Sequence, residues 1–349
     1  MEIKEGTLKL NNGENLSVPE AEQIAQSLTE SQIPAEDKKT FLKSLHKCGE
    51  SSNEIEGFSN VFQEASLNPE LEDIASDSID VCGTGGDHSG SYNISTTVAM
   101  ILASAEVPVI KHGNRSITSK CGSAQFLEAL GLKINLDLEI HKKAMEKLNF
   151  TFLFAPSFHP AFKEIMPVRQ ELASEGQSTI FNILGPLINP AKPAHQLLGV
   201  YSRKLLTEMA SSLHNKGLKA GFTANCQTSK GEPDIDEVSC AGINHIVGFG
   251  RLSKDSCQFE AAKFKLSNCK IEDLRGGEIA ENLTLLEKIK NNTVQKGLKE
   301  TIFLNAGIAF YIVNKTNSIQ EGIQLASDTV LSGQLNRWIE TAKNFYQEI

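Results

Sequence analysis

The stretch Asp80-Val81-Cys82-Gly83-Thr84-Gly85-Gly86-Asp87, followed by Asn93-Ile94-Ser95-Thr96 and an apolar run, decides how this chain folds. A short β-branched run that ends in glycines and opens a helix reads as strand, loop, helix, the unit from which parallel α/β sheets are built. Glycines let backbone N–H groups approach an oxyanion, and a helix start adds unpaired donors with a partial positive charge. The unit is an anion cradle or, more blandly, a tight turn before a capped helix. A Walker A loop is excluded, because no Gly-Lys-Ser/Thr closes it. A dinucleotide fingerprint is excluded too, because His88 stands where the last glycine belongs.

Outward from this unit, short strands alternate with helices. Strands are expected at Ser78–Cys82, Val107–Ile110, Phe150–Phe154, Leu197–Tyr201 and Ala220–Ala224, with helices near 95–105, 123–130, 138–147, 161–172 and 203–215. The alternation predicts an α/β fold with a central, mostly parallel sheet flanked by helices. Upstream, residues 16–66 read as three short amphipathic helices. The first opens on the capping-box pair Ser17 and Glu20 and aligns Ala21, Ile24, Ala25 and Leu28. The second starts near Pro34 and buries Phe41, Leu42 and Leu45; the third repeats the capping spacing at Ser51 and Glu54 before Ile55, Phe58 and Phe62. Helices this short are marginal alone and should pack as a small bundle. With an acidic linker at Pro69–Asp77, the expected division is a small helical N-terminal domain (1–70) and a large α/β domain (76–349).

Composition narrows the function classes. A formal charge of −9 argues against nucleic-acid binding, which needs clustered cations, so any anion site must be local. Seven cysteines, at 48, 82, 121, 226, 240, 257 and 269, show neither a CxxC pair nor a repeated spacing, which fits reduced thiols better than zinc or disulfides. No apolar run reaches membrane length, and Met1–Asn11 carries no apolar core of a signal peptide. A cytoplasmic location is the default expectation.

Three further constellations carry chemistry. Lys111-His112-Gly113-Asn114-Arg115-Ser116-Ile117-Thr118-Ser119 follows an apolar strand, and strand ends are where open parallel sheets bind ligands. Its cations, hydroxyls and amide suit phosphate and ribose, or else a solvated polar loop. Asp236-Glu237, adjacent acids on a loop, would suit Mg²⁺ completed by substrate phosphate; acidic pairs on loops are also commonly solvated surface. The proline- and glycine-rich stretch from Phe154 through His159-Pro160 and Pro167-Val168-Arg169 to Thr179–Pro190 looks like a hinge. Within it Arg169 is a candidate for bidentate carboxylate binding, and His159 is either catalytic or a hydrogen-bonded structural histidine.

Taken together, these motifs resemble the anthranilate phosphoribosyltransferase family, which shares a fold with pyrimidine nucleoside phosphorylases. The likeness covers GTGGD at Gly83–Asp87, NIST at Asn93–Thr96, KHGNR at Lys111–Arg115, Gly122–Ala124, Leu127–Gly131, His159-Pro160, Pro167–Arg169 and Thr179–Pro190. It continues through Gln196–Val200, Asp273–Gly277 and Leu304–Ala306. The resemblance implies transfer of a phosphoribosyl group from phosphoribosyl pyrophosphate to anthranilate, with Mg²⁺, usually in a homodimer. It implies that helices near 173–192 join the N-terminal helical domain. It also implies donor contacts from Gly83, Gly86, Asp87, Ser91, Asn93, Ser95, Thr96, Lys111, Thr118, Ser119 and Ser123, with Ile94, His112, Gly113, Arg115 and His159 also among the substrate-binding residues. Metal contacts would come from Ser95, Asp236 and Glu237. The acceptor would meet Gly83, Asn114 and Arg169, while Lys111 and His112 would supply electrostatic stabilisation.

The chain departs from the family pattern at Gln125, where an acid is usual, at Ala173–Ser178, where a shorter link with an arginine is usual, and at Asn225–Pro233. These departures lie on the acceptor side. Competing readings are a divergent paralogue with another aromatic acceptor, a non-catalytic binding protein, and a pyrimidine nucleoside phosphorylase. The last is disfavoured by KHGNR.

Overall fold

A computed structural model describes residues 1–115 and 120–349. Thr118 and Ser119, expected at the donor site, therefore lie outside the described residues. The chain begins with four helices, α1 (Ile3–Asn11), α2 (Val18–Leu28), α3 (Ala35–Cys48) and α4 (Ser52–Glu64), where the sequence suggested three. The extra helix escaped notice because its apolar stripe is thin: only Ile3, Gly6 and Leu10 are buried. A side chain at Gly6 would press against Ile24 Cδ1, so α1 lies close on α2. The expected capping boxes at Ser17/Glu20 and Ser51/Glu54 are both formed.

The sheet has seven strands in the order β3-β2-β1-β4-β5-β6-β7. β1 (Ile79–Gly83), β2 (Val109–Gly113), β3 (Phe150–Phe154), β4 (His195–Gly199) and β5 (Ala220–Gln227) are parallel. β6 (Ile243–Gly250) and β7 (Cys257–Phe259) add an antiparallel edge that the sequence did not suggest, because both are interrupted by polar residues and glycines. The strand order reverses direction between β1 and β4, so the crevice at their carboxyl ends is the switch point where open α/β sheets bind ligands. In register, the two strands end on a glycine pair, Gly83 opposite Gly199.

Apolar packing follows the two faces of the sheet. One face, with the buried helices Ile94–Ser104 and Lys296–Ile312, forms the largest cluster, including Val81, Val98, Phe150 and Phe310. On the other face Leu198 and Val200 join a cluster shared by α1–α4 and by residues 165–188, with Phe41, Phe58, Phe62, Val168 and Phe181 in contact. The helical N-terminus and the Met166–Leu187 region thus share one apolar interior.

Candidate active site

The glycine loop leaves β1 at the switch point and is pinned to β4: Thr84 N–H donates to Gly199 O at 2.9 Å, and Tyr201 N–H donates to Thr84 Oγ1 at 3.1 Å. Gly85 and Gly86 then take φ of +71° and +80°, a region that L side chains avoid, and a Cβ on either would meet nothing within 4 Å. The space over the loop is therefore open at both positions. Asn93 closes the loop as the first residue of the Ile94–Ser104 helix turn, with its carbonyl accepting from Thr97 N–H at 3.1 Å. Ile94 points into the core and its N–H donates to Tyr92 O at 2.7 Å, so neither is left for a ligand.

Lys111, His112 and Gly113 were expected in a loop beyond a strand ending at Ile110. They form instead the second half of β2, and the strand itself starts later than expected, at Val109. Lys111 and His112 are buried, and burial is tolerable because each is hydrogen-bonded. Lys111 Nζ donates to Val81 O and lies 3.3 Å from Ser95 Oγ. His112 Nδ1 lies 3.0 Å from Gly185 O, so it carries the proton, and His112 Nε2 faces His159 Nε2 at 3.1 Å. Burial lowers the His112 pKa to about 3 and that of His159 to about 4, so both rings are neutral. Gly113 is required for packing: a Cβ there would sit 2.7 Å from Ser123 Oγ and 2.9 Å from the Phe152 ring.

Asp236 and Glu237 are not solvated loop acids, which corrects the surface alternative; each residue is 8% exposed. They fold over the carboxyl ends of β1 and β4. A Cβ at Gly199 would fall 1.5 Å from Asp236 O, and one at Gly83 would fall 2.4 Å from Asp236 Oδ2, so the glycine pair makes the space they occupy. Gly85 N–H donates to Asp236 Oδ2 at 2.7 Å, and Asp236 N–H donates to Asp87 Oδ2 at 3.3 Å. Burial, then the charges of Asp87 and Glu237, push the Asp236 pKa well up. Burial also raises Glu237 to about 8, against the pull of Lys111 and the Ser95 N–H. Two buried carboxyl groups whose pKa values rise beside the charge of Asp87 form a set that a cation would stabilise. Among the described residues no three His, Cys, Asp or Glu side chains form a self-sufficient metal cage. The set suits Mg²⁺, which takes one or two carboxylates and completes its shell with water and substrate oxygens.

On the other face of the sheet, the segment Gly185–Asn189 is held to the strands by buried polar bonds. Gln196 Nε2 donates to Pro186 O at 2.7 Å, and Asn189 Nδ2 donates to Asp80 Oδ2 at 3.0 Å and to Ile110 O at 2.9 Å. Beyond His159 the ring of Phe162 follows at 5.7 Å, and Arg169 lies against both Phe162 and Phe181, 5.4 and 5.2 Å from their centroids. No carboxylate pairs with Arg169 among the described residues; its Nη1 reaches Met166 Sδ at 3.8 Å, and burial lowers its pKa to about 10. A half-buried guanidinium without an anion is built to receive one.

The fold thus brings the glycine loop, Ser95, Lys111, Asp87, Asp236 and Glu237 together. The His112–His159 pair links this group to the Arg169 cage. Three expected residues stand differently. Arg115 is committed to Glu128 Oε1 at 2.7 Å and to the Phe154 ring, and Asn114 Oδ1 accepts from Arg115 N–H. Ser91 forms a backbone bridge to Arg275. Sequence reading passed over Gly199, Asp80, Asn189, Phe162 and Phe181. For Asp80 a signal existed, since an acid inside a strand run is costly unless it is used.

A switch-point anion cradle with a buried acidic pair defines a transferase of phosphorylated sugars, and the comparisons agree. A family profile described as "Glycosyl transferase family, a/b domain" matches residues 75–335. The chain is 36% identical over 337 residues to the anthranilate phosphoribosyltransferase of Petrotoga mobilis, covering 97% of this chain and 95% of that one. It is 37% identical over 331 residues to that of Chlorobium phaeovibrioides, covering 95% and 92%. The crystal structure of anthranilate phosphoribosyltransferase from Thermus thermophilus superposes with a TM-score of 0.85 at 33% identity over 98% of this chain and 99% of that one. A Saccharomyces cerevisiae enzyme of that name, solved with PRPP and Mg, shares the fold at a TM-score of 0.84 and 21% identity, over 99% and 98% of the two chains. The chain belongs to the anthranilate phosphoribosyltransferase family.

Proposed function

We propose that this enzyme transfers the 5-phosphoribosyl group of phosphoribosyl pyrophosphate to the amine of anthranilate, releasing pyrophosphate. The observation that carries the reading is the junction of two unlike half-sites. A glycine cradle with buried acids at the β1/β4 switch point meets, through His112 and His159, an aromatic cage around an unpaired Arg169. One half suits a polyphosphate and the other an aromatic carboxylate.

In this reading the amine nitrogen bonds to the anomeric carbon as the carbon–oxygen bond to pyrophosphate breaks, and the amine then loses a proton. Gly83, Gly86, Asp87, Ser91, Asn93, Ser95, Thr96 and Ser123 hold the donor, and Lys111, with backbone N–H groups, offsets the leaving charge. Ser95, Asp236 and Glu237 would hold Mg²⁺, which would add to the neutralisation of pyrophosphate. Arg169 holds the acceptor carboxylate, and the Phe162 and Phe181 rings exclude water around it. Holding both substrates supplies proximity. A division at residues 1–70 and 76–349, a homodimer and a cytoplasmic setting belong to the same reading. Among the described residues no helix is long and apolar enough to cross a membrane.

The test is pyrophosphate release from phosphoribosyl pyrophosphate with and without anthranilate, in Mg²⁺ and in EDTA. Release that requires both anthranilate and Mg²⁺ is expected; release indifferent to anthranilate sinks the acceptor assignment.

A further inference from the structure

The segment Leu274-Arg275-Gly276-Gly277 and Asn282 behind it take no part in the mechanism above, yet they support the loop that carries Asn93. Tyr92 N–H donates to Leu274 O at 2.8 Å and Gly276 N–H to Gly90 O at 3.0 Å, on either side of the bridge between Ser91 and Arg275. The approach is tight: a Cβ at Gly276 would fall 2.9 Å from Tyr92 Cα and 3.1 Å from Asn282 Oδ1.

Asn282 is 1% exposed, on the helix Ile279–Lys290. Its Nδ2 donates to Gly277 O at 2.8 Å and to Glu278 O at 3.1 Å, which fixes the orientation of the amide and leaves Oδ1 to accept. That oxygen lies 3.3 Å from Asn93 N and 3.5 Å from Asn93 Nδ2. Asn93 Nδ2 also donates to Cys121 O at 3.0 Å. The Asn93 amide nitrogen thus has Cys121 O, the Cys121 thiol and Asn282 Oδ1 around it, which leaves Asn93 Oδ1 as the side-chain atom turned to accept from a ligand. An amide oxygen cannot bond a phosphate oxygen; it accepts from a hydroxyl.

We propose that Asn282 is a positioning residue for the sugar donor: it turns the Asn93 amide so that its oxygen accepts from a ribose hydroxyl rather than its nitrogen meeting a phosphate. This rests on the reading that phosphoribosyl pyrophosphate binds at the glycine loop. The test is calorimetric titration of phosphoribosyl pyrophosphate in Mg²⁺ into the wild type, Asn282→Ala, Asn93→Ala and the double variant. Donor affinity should fall about tenfold in Asn282→Ala, the size of one aligned hydrogen bond lost. The double variant should bind within about twofold of Asn93→Ala alone, because coupled residues are not additive. Asn282→Asp keeps an acceptor for Asn93 and should recover part of the affinity, which also guards against Asn282→Ala failing to fold. Anthranilate KM at saturating donor should not move. Donor affinity unchanged in both Asn282 variants, or fully additive losses, overturns the proposal. A wild type that binds no phosphoribosyl pyrophosphate overturns the donor reading beneath it.

Discussion

His112 and His159 face each other through their Nε2 atoms at 3.1 Å, and His112 Nδ1–H donates to Gly185 O at 3.0 Å, so the two rings join the strand β2 to the proline-rich segment as a neutral pair. Their folded pKa values, about 3 and about 4, lie below the ordinary 6.5. As pH falls the unfolded chain takes up protons first. Their contribution to stability is therefore complete above about 6.5 and is lost as pH drops towards the folded values, by up to about 1.4 kcal/mol per pH unit for each ring. Denaturant melts of His159→Gln between pH 7 and pH 4 should show a shallower acid-side decline than the wild type, by up to about one proton. Parallel pH profiles would show that the ring is protonated in the fold.

Asp236 and Glu237 oppose stability. Glu237, with its pKa raised from 4.5 to about 8, holds a proton more tightly folded than unfolded, so folding is penalised progressively as pH rises across that interval. Asp236→Asn with Glu237→Gln should therefore melt higher than the wild type at pH 8 in EDTA, by on the order of 2 °C or more. The advantage should shrink below pH 5. Turnover should fall by a hundredfold or so at the same time. Scanning calorimetry beside a turnover assay checks the trade; a variant that melts lower at pH 8 contradicts it.

The three glycines of the site should fail in different ways. At Gly199 a Cβ meets Asp236 backbone oxygen at 1.5 Å, so Gly199→Ala must move the acidic loop and should lower both stability and turnover. Gly83→Ala meets the Asp236 carboxylate, a movable end, and should cost more activity than stability. Gly86→Ala meets no atom but must hold φ at +80°, a strain of roughly 1 to 2 kcal/mol. Melting temperatures in the order Gly83→Ala above Gly199→Ala, with all three impaired in turnover, are the expected result.

Arg169 separates the two half-sites. Arg169→Ala should raise anthranilate KM about tenfold or more and leave donor affinity unchanged, since a charge-assisted bond is worth roughly 1.5 to 3 kcal/mol. Arg169→Lys should recover little, because an ammonium lacks the planar fork that pairs with a carboxylate through two parallel hydrogen bonds. Steady-state kinetics with both substrates varied decides it: a loss confined to the donor means that the acceptor lies elsewhere.

The segment Ala173–Ser178 that departs from the family pattern prolongs the Met166–Ser174 helix into a turn at Gly176. Glu171 and Glu175 there pair with Lys39 and Lys43 of α3. Exposed pairs of this kind contribute little, so Lys43→Gln should change melting by no more than about 1 °C. A larger shift would mean that this contact governs how the helices seat on the sheet.

Much of this protein was legible in its sequence because the signals are local. Glycines after a β-branched run and a capped apolar helix declare a strand–loop–helix unit within a few residues, as do the capping boxes at Ser17 and Ser51. The parallel sheet, the cradle and the family likeness all follow from such stretches. The α1 helix and the strands β6 and β7 were missed where the local pattern is weak and pairing with distant segments supplies the stability. What only the tertiary structure decided is electrostatic environment. Asp236 and Glu237 read as loop acids, either metal ligands or solvated surface, until Gly83 and Gly199, brought side by side by a switch in strand order, make room to bury them. Lys111 and His112 read as a polar loop until they prove to be strand residues. Asn282 has no motif that marks it, and it matters because it meets Asn93 across the fold. Periodicity and backbone preference are properties of a window of residues, whereas desolvation and hydrogen-bond partnership depend on which remote segments the packed chain sets against each charge.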